Sequence, residues 1–348
     1  MMNTAAFIHG ARDVRVGDHV PGVPDDDEVL VDVVSVGVCG SDLHYYKDGG
    51  IGSAVIQAPF VPGHEFSARL CADLPRLELA RGALVAVDPA RPCHRCEWCV
   101  RGHHNLCPRV RFLGAPPFNG ALTQRLAVPI DSVIALPEGM SADQGAMLEP
   151  LGVCIHALDL ARPTVHESVA VLGCGPIGLG IVDLLRLAGV RRIVAIDPQA
   201  HRTALAQRLG AHHVGTMPEA VAQCDDGLGC ELVIEATNSP HGFRDAIRCS
   251  RIGARLVLVG IPDGDTYTAL AASEARRRGL TVRFSRRMGN VYPRAIELVR
   301  GARVDVDALI SHRFTLDGAP QAFALQANET PGLIKSIVYP AGSDSAAR

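Results

Sequence analysis

The sequence predicts an α/β protein in two parts: a β-rich, irregular part and a doubly wound part, in which a parallel sheet is covered by helices on both faces. Three observations carry this reading. The chain has 348 residues, more than one small core organises. Its pattern changes near residue 151, where short strand candidates give way to apolar strands alternating with helices. A glycine-rich turn joins the first of those strands to its helix.

In the first part, "DEVLVDVVSVGVCG" alternates apolar and polar residues and ends in glycine. "RGALVAVDP" and "ALTQRLAVP" are further short strand candidates, each stopped by proline. Helical periodicity is hard to find there. Beyond residue 151, "SVAVLGCGPIGLGIVDLLRLAGV" reads as buried strand, turn and helix. "RRIVAID" and "PQAHRTALAQRLGA" repeat the pair, and "ELVIEAT" and "ARLVLVG" are further apolar strands. "VYPRAIELVRGARV" reads as a late helix. "LISHRFTLDGAPQAFALQ" and "KSIVYP" return to the β-rich pattern of the first part, so the tail is expected to rejoin it.

Composition narrows the function. Hydrophobic residues at 47% and charged residues at 20% are those of a soluble globular chain. A net charge of −3 gives no basic surface, and 4% aromatics give few stacking platforms, so no nucleic-acid partner is expected. The N-terminal residues lack the basic-then-apolar pattern of a secretory signal. The apolar run Ser168 to Val182 is short, glycine-rich and followed by Asp183 and Arg186, so no membrane span is expected. The expected location is cytoplasmic, where eleven cysteines are metal ligands or inert thiols rather than disulfides.

"VLGCGPIG" places Gly173, Gly175 and Gly178 in G-x-G-x-x-G spacing, with Pro176 and Ile177 opening the helix. Glycine is common here, 35 residues, so spacing alone says little; a strand before and a helix after say more. The first glycine permits the turn, the second lets backbone approach a pyrophosphate, and the third lets helix and strand pack closely. Asp197 closes the next strand, where a carboxylate accepts from both ribose hydroxyls and repels a 2′-phosphate. That combination points to NAD rather than NADP. Arg202 either flanks the adenine or accepts a phosphate, and a ligand-free glycine turn is the bland alternative.

Cys93, Cys96, Cys99 and Cys107 follow a C-x2-C-x2-C-x7-C pattern. Four thiolates this close suit a tetrahedral metal with no open position, a structural zinc. An iron–sulfur cluster uses other spacings, and a nucleic-acid-binding zinc ribbon would need a basic surface. The nearby His94, His103 and His104 read as surface residues. Upstream, Cys39 in "GVCGSDLHYY" and His64 and Glu65 in "PGHEF" form a thiolate, imidazole and carboxylate set, which suits a catalytic zinc that keeps one position open. Taken singly they also read as a buried thiol, a loop histidine and a surface charge.

"GVCGSDLHYY", "PGHEF", the four-cysteine stretch, "LEPLGVCIHA" and "VLGCGPIG" occur in that order. Together they resemble the zinc-dependent medium-chain dehydrogenases, particularly the polyol branch of sorbitol, xylitol and L-idonate dehydrogenases, over roughly residues 25 to 340. The resemblance implies a GroES-like catalytic domain over 1–153 with a zinc lobe at about 91–110, a Rossmann NAD-binding domain over 154–288, and a return to the catalytic domain over 289–348. It implies two zinc ions per chain and a homodimer or homotetramer joined through sheet edges. Cys39 and His64 would bind the catalytic zinc, Glu65 directly or through water, and Glu149 as the exchangeable ligand. Cys154 is a substitute for Glu149, but it lies on another face of the same helix. Zinc would act as Lewis acid on an alcohol that gives its hydride to the nicotinamide, and Ser41 and His44 would carry the proton outward.

Tyr45, Phe112 and Arg287 match the branch's substrate contacts. Arg286, Met288 and Ala115 depart from it, which leaves the individual polyol or sugar acid open. A threonine dehydrogenase is the rival within the family. A zinc-free quinone reductase, a non-enzymatic NAD-binding protein and a DNA-binding zinc ribbon are the rivals outside it.

Overall fold

The structure, a computed structural model, describes residues 3–216, 227–269 and 272–342. They divide into two units. One comprises the residues up to Glu149, Tyr292–Arg300 and those from Val306 onward; the other comprises Pro150–Val291 and Gly301–Asp305.

The first unit is built on β3 (Glu28–Gly37), preceded by the hairpin of β1 (Asn3–Gly10) and β2 (Asp13–His19). One edge of β3 pairs antiparallel with β4 (Glu65–Leu70), which pairs on with β5 (Leu84–Val87). The other edge is shared. Residues 28–32 pair with β6 (Arg125–Pro129), and Val36 and Gly37 pair with the C-terminal strand (Lys335–Tyr339). Val31, Val33, Val36, Phe66, Ala68, Leu122 and Phe323 are buried in the core. Two helices lie where the sequence shows no helical period. α1 (Gly40–Asp48) buries Asp42, His44, Tyr45 and Tyr46, a largely polar set that leaves no apolar stripe to detect. A later helix spans Ala319–Ala327, inside a stretch whose pattern is strand-like.

The unit boundary at Glu149 falls within α2 (Ala142–Ala161). In the second unit, β7 (Ser168–Leu172) is buried throughout, as a central parallel strand must be. It leads through the glycine turn into α3 (Pro176–Ala188), with Pro176 in its first turn, and then to β8 (Arg192–Ile196). After β9 (His213–Gly215) come β10 (Cys230–Glu235), α4 (Gly242–Cys249), β11 (Ser250–Leu258) and β12 (Thr281–Phe284). The strand order is β9-β8-β7-β10-β11-β12, every pair parallel. This is a six-stranded doubly wound sheet whose order reverses between β7 and β10. No helix of the described residues is long and apolar enough to cross a membrane.

Arg255 of β11 braces this unit. Its guanidinium donates to both carboxylate oxygens of Glu167, at 2.7 and 2.9 Å, and to the carbonyls of Ala161 and Arg162 at the end of α2. Partial burial would raise the Glu167 pKa, but the hydrogen bond from Arg255 and the N–H of Thr164 bring it below its usual 4.5. A depressed carboxyl contributes stability above its unfolded pKa and loses it as pH falls through the folded one. Arg255→Gln should therefore lower the melting temperature at neutral pH, and the gap to the parent should close as pH falls below 4.5. Melting temperatures taken from pH 7 down to pH 3 test this.

Candidate metal centres and cofactor cradle

The four cysteines of the lobe converge. Cys93, Cys96, Cys99 and Cys107 offer sulfurs all within 4.8 Å of one another. Cys96 Sγ lies 3.4 Å from Cys99 Sγ and 3.9 Å from that of Cys107, too far for a disulfide. The turn Glu97–Val100 sets Cys96 and Cys99 on one side, and Cys107 is fully buried. The N–H of Arg95 lowers the Cys93 pKa, and Arg109 donates to its sulfur at 3.4 Å. Burial pushes the Cys99 thiol up to about 12, and four sulfurs this close fit a tetrahedral divalent ion. His94 and His104 stack on each other's edges at 5.3 Å.

A second set lies at the head of β3 and β4. Cys39, His64 and Glu65 offer ligand atoms within 4.8 Å of one another, and His64 and Glu65 are almost wholly buried. Asp42 joins the two loops. It sits three residues after Cys39 at the start of α1, and its fully buried carboxylate accepts the Cys39 N–H at 3.0 Å and the Gly63 N–H at 3.2 Å. The same carboxylate faces His64 Nδ1 at 3.6 Å. Gly63 has φ of 94° and a Cβ there would press on Val36 and Leu122, so the loop that presents His64 requires glycine.

Glu65 forms an ion pair with Lys335, a fully buried lysine delivered by the C-terminal strand, whose Nζ also donates to Val38 O at 3.1 Å. Gly37 leaves the room: a Cβ there would lie 2.2 Å from Glu65 Oε2. Glu149 is buried beside this set. Burial pushes its carboxyl up to about 7, with His64 opposing and Glu65 reinforcing the shift. Burial would lower the His64 pKa, yet Asp42 and Cys39 hold it well above the usual value. Burial would likewise lower that of Lys335, and Glu65 and Cys39 raise it. The surroundings favour positive charge, and one thiolate, one imidazole and the carboxylates of Glu65 and Glu149 fit a divalent cation.

The other expected residues of this unit are placed as follows. The Phe112 ring lies 5.2 Å from the His64 ring. Tyr45 is buried edge-on against Phe60 at 5.5 Å. His44 is buried, with Nδ1 3.2 Å from Oδ2 of the part-exposed Asp48, and Ser41 is half-buried in the first turn of α1. Ala115 packs at the edge of the core.

The glycine turn lies in the second unit. Gly173 has φ of 86°, and a Cβ on Gly178 would stand 1.7 Å from Gly173 O. A Cβ on Gly175 would meet nothing within 4 Å, so its backbone faces open space at the N-terminus of α3. A pyrophosphate fits such a surface. Asp197 closes β8 almost wholly buried. One oxygen accepts the Cys174 N–H and the other the Gln199 N–H, each at 2.8 Å, and Arg202 lies 3.6 Å away. The acid therefore shapes the turn. Pro176 and Ile177 begin α3, and Cys154 donates to the Ile177 carbonyl at 3.3 Å. Arg287 adopts φ of 54°, and Met288 is buried where Gly152 leaves space for its sulfur.

Residues 25–138 match the alcohol dehydrogenase GroES-like domain, and residues 176–301 match the zinc-binding dehydrogenase model. The chain is 32% identical to a sorbitol dehydrogenase of Bacillus subtilis, over 97% of each protein. The chain belongs to the zinc-dependent medium-chain dehydrogenase family. It is an oxidoreductase of the polyol dehydrogenase branch, with the GroES-like and Rossmann-type parts expected of it. A sorbitol dehydrogenase of Gallus gallus is 34% identical over 92% of each chain, and an L-idonate 5-dehydrogenase of Vitis vinifera 31% over 90% of this chain and 88% of that one.

Among solved structures, an Escherichia coli oxidoreductase/dehydrogenase of unknown specificity superposes with a TM-score of 0.89 at 28% identity, covering 97% of this chain and 99% of that one. An alcohol dehydrogenase of E. coli CFT073 complexed with NADH gives 0.87 at 26%, with the same coverage. A zinc-binding dehydrogenase of Sinorhizobium meliloti bound to NADP gives 0.87 at 28%, over 98% of this chain and 100% of that one.

Two residues of this dehydrogenase's metal site are not singled out by the sequence pattern. Asp42 carries a signal, an acid three residues after the cap position of a helix. Lys335 carries a fainter one, a charge within the apolar "LIKSIVY".

The two metal sets should fail differently. Cys96→Ser should lower zinc content and melting temperature while any folded fraction keeps NADH binding and some turnover. Cys39→Ser should leave the fold and NADH binding intact but lower turnover roughly a hundredfold or more. Metal content, melting temperature and turnover of both variants check this, and the reverse pattern would show the two roles exchanged.

Proposed function

We propose that this dehydrogenase oxidises a secondary alcohol of a polyol or sugar acid, with NAD as acceptor, in the cytoplasm. The observation that carries the reading is the mixed set of Cys39, His64 and Glu65 with buried Glu149 beside it. The sorbitol and L-idonate dehydrogenases among its relatives support the substrate class, and Asp197 at the end of β8 supports NAD.

Cys39, His64, Glu149 and, directly or through water, Glu65 would hold a catalytic zinc, and zinc there supplies the Lewis acidity that makes an alcohol acidic near neutral pH. NAD held at the glycine turn supplies the hydride acceptor. The protein's own groups do the rest. Asp42 keeps the Cys39 and His64 loops in register, and Lys335 holds Glu65 at one side of the set. Phe112, its ring 5.2 Å from that of His64, and Tyr45 and Arg287 are proposed substrate contacts. Ser41 takes the hydroxyl proton of the substrate and His44 passes it on. His44 Nδ1 faces Asp48, whose side chain is 40% exposed, so the proton leaves toward water. Gly173, Gly175, Pro176, Ile177 and Gly178 receive the pyrophosphate and Asp197 the ribose hydroxyls, with Arg202 flanking the adenine. The lobe's Cys93, Cys96, Cys99 and Cys107 would hold the structural zinc. The edge strand β12, with Phe284 exposed, offers a second copy an antiparallel partner for a homodimer or homotetramer.

A panel of sugar alcohols, sugar acids, threonine and simple alcohols should show turnover with NAD greatest among the polyols and sugar acids. Ethanol or threonine turning over faster than all of them would overturn the substrate class. The parent enzyme should prefer NAD, and Asp197→Ala should narrow the gap to NADP while weakening NAD. A parent enzyme that uses NADP at least as well as NAD would remove the role given to that carboxylate.

A further inference from the structure

The strand order of the second unit reverses between β7 and β10, and open α/β sheets bind their ligands in the crevice beyond that point. Gly173 leaves β7 on one side of the crevice. On the other, Glu235 ends β10, opposite Leu172, and the chain continues as Ala236 and Thr237. The two walls touch: Ala236 N–H donates to Leu172 O at 2.8 Å. A Cβ on Gly173 would stand 2.6 Å from Ala236 O and 2.9 Å from Thr237 Cγ2.

Glu235 is fully buried beneath this second wall. Its Oε1 accepts the Thr237 N–H at 2.7 Å and a hydrogen bond from the Thr237 hydroxyl, which in turn accepts the Ser239 N–H at 3.1 Å. Its Oε2 faces the hydroxyl of Tyr267 at 3.4 Å. Two further segments close on it. A Cβ on Gly242 would lie 2.5 Å from Oε1, and one on Gly260 would lie 2.9 Å from Oε2 and 2.0 Å from Thr237 O. Three glycines thus give way to one carboxyl group and the threonine it grips. Burial raises its pKa, and the hydrogen bonds of Thr237 oppose the rise. None of the roles given above uses this group.

We propose that Glu235 is a positioning residue for the dinucleotide: through Thr237 it fixes the wall opposite the glycine turn, and that wall sets cofactor affinity. The proposal rests on the reading that NAD binds at this turn. Glu235→Gln retains an oxygen acceptor for Thr237, whereas Glu235→Ala removes it. Thr237→Val keeps the methyl that faces Gly173 and removes only the gripped hydroxyl.

The test is titration of the zinc-loaded, full-length protein with NADH, followed by its nicotinamide fluorescence, together with steady-state kinetics in NAD. Glu235→Ala and Thr237→Val should each weaken NADH roughly tenfold, the equivalent of one buried hydrogen bond. KM for NAD should rise in step, with kcat at saturating NAD and zinc content near the parent values. Glu235→Gln should restore most of the affinity. A folded Glu235→Ala with the parent's NADH affinity overturns the proposal. If Glu235→Ala does not fold, a Thr237→Val protein with unchanged affinity overturns it equally. A fall in kcat with KM for NAD unchanged also overturns it, because the wall would then act elsewhere. A parent protein that binds no NADH overturns the NAD reading itself, an outcome separate from any variant.

Discussion

The first unit turns on a lysine and a glutamate that share a fully buried space. Taking either charge out of water alone is prohibitive, and the pair is tolerable only where its geometry is good and its remaining donors are satisfied. Lys335 pairs with Glu65 and donates a further hydrogen bond to Val38 O. Much of the surrounding structure follows from that requirement. Gly37 must lack a side chain because the carboxylate fills the space. The strand Lys335–Tyr339 pairs with β3 and so delivers the lysine to a sheet whose first strand is Glu28–Gly37. One buried cation also sits among Cys39, Glu65 and Glu149, groups that would otherwise repel one another.

A steric constraint governs the second unit as charge governs the first. Gly178 packs against Gly173 at a distance no side chain permits, while Gly175 faces open space. The spacing of three glycines therefore encodes two different demands, contact at the third position and vacancy at the second. Asp197 belongs to the same construction. By accepting the Cys174 N–H it satisfies a turn amide that would otherwise depend on a ligand, so the turn is formed before a cofactor arrives. The acid proposed to select the cofactor is thus part of the turn itself.

What was legible in the sequence was local. Cysteines three and eight residues apart, glycines in fixed spacing and an apolar strand before a helix each express their geometry within a few residues. The parallel sheet was legible because burial on both faces leaves continuous apolar runs such as "VAVL". The helix α1 was hidden because its buried face carries Asp42, His44 and two tyrosines instead of aliphatic residues. A helix whose inner face serves a site need not show the pattern of one that serves a core. Lys335 and Glu235 were hidden for another reason. Lys335 pairs with a residue far along the chain, and Glu235, beyond its neighbour Thr237, meets Tyr267 on another segment; nothing in a linear pattern ties Glu65 to Lys335, or Glu235 to Tyr267.

The two candidate metal sets are held in place in different ways. In the lobe, ligands of one kind lie in a single short stretch, beside exposed Trp98, Val100 and Leu106. Little apolar burial stabilises that stretch, and an ion held by four thiolates would supply what a core otherwise does. At the head of β3 the reverse holds. Cys39 comes from one segment and the adjacent His64 and Glu65 from another, and their places are fixed by sheet pairing, by the Asp42 carboxylate and by Lys335. A site held by its surroundings does not need every ligand to maintain its shape. It can leave a coordination position to a substrate, which the lobe, folded around its own ligands, cannot.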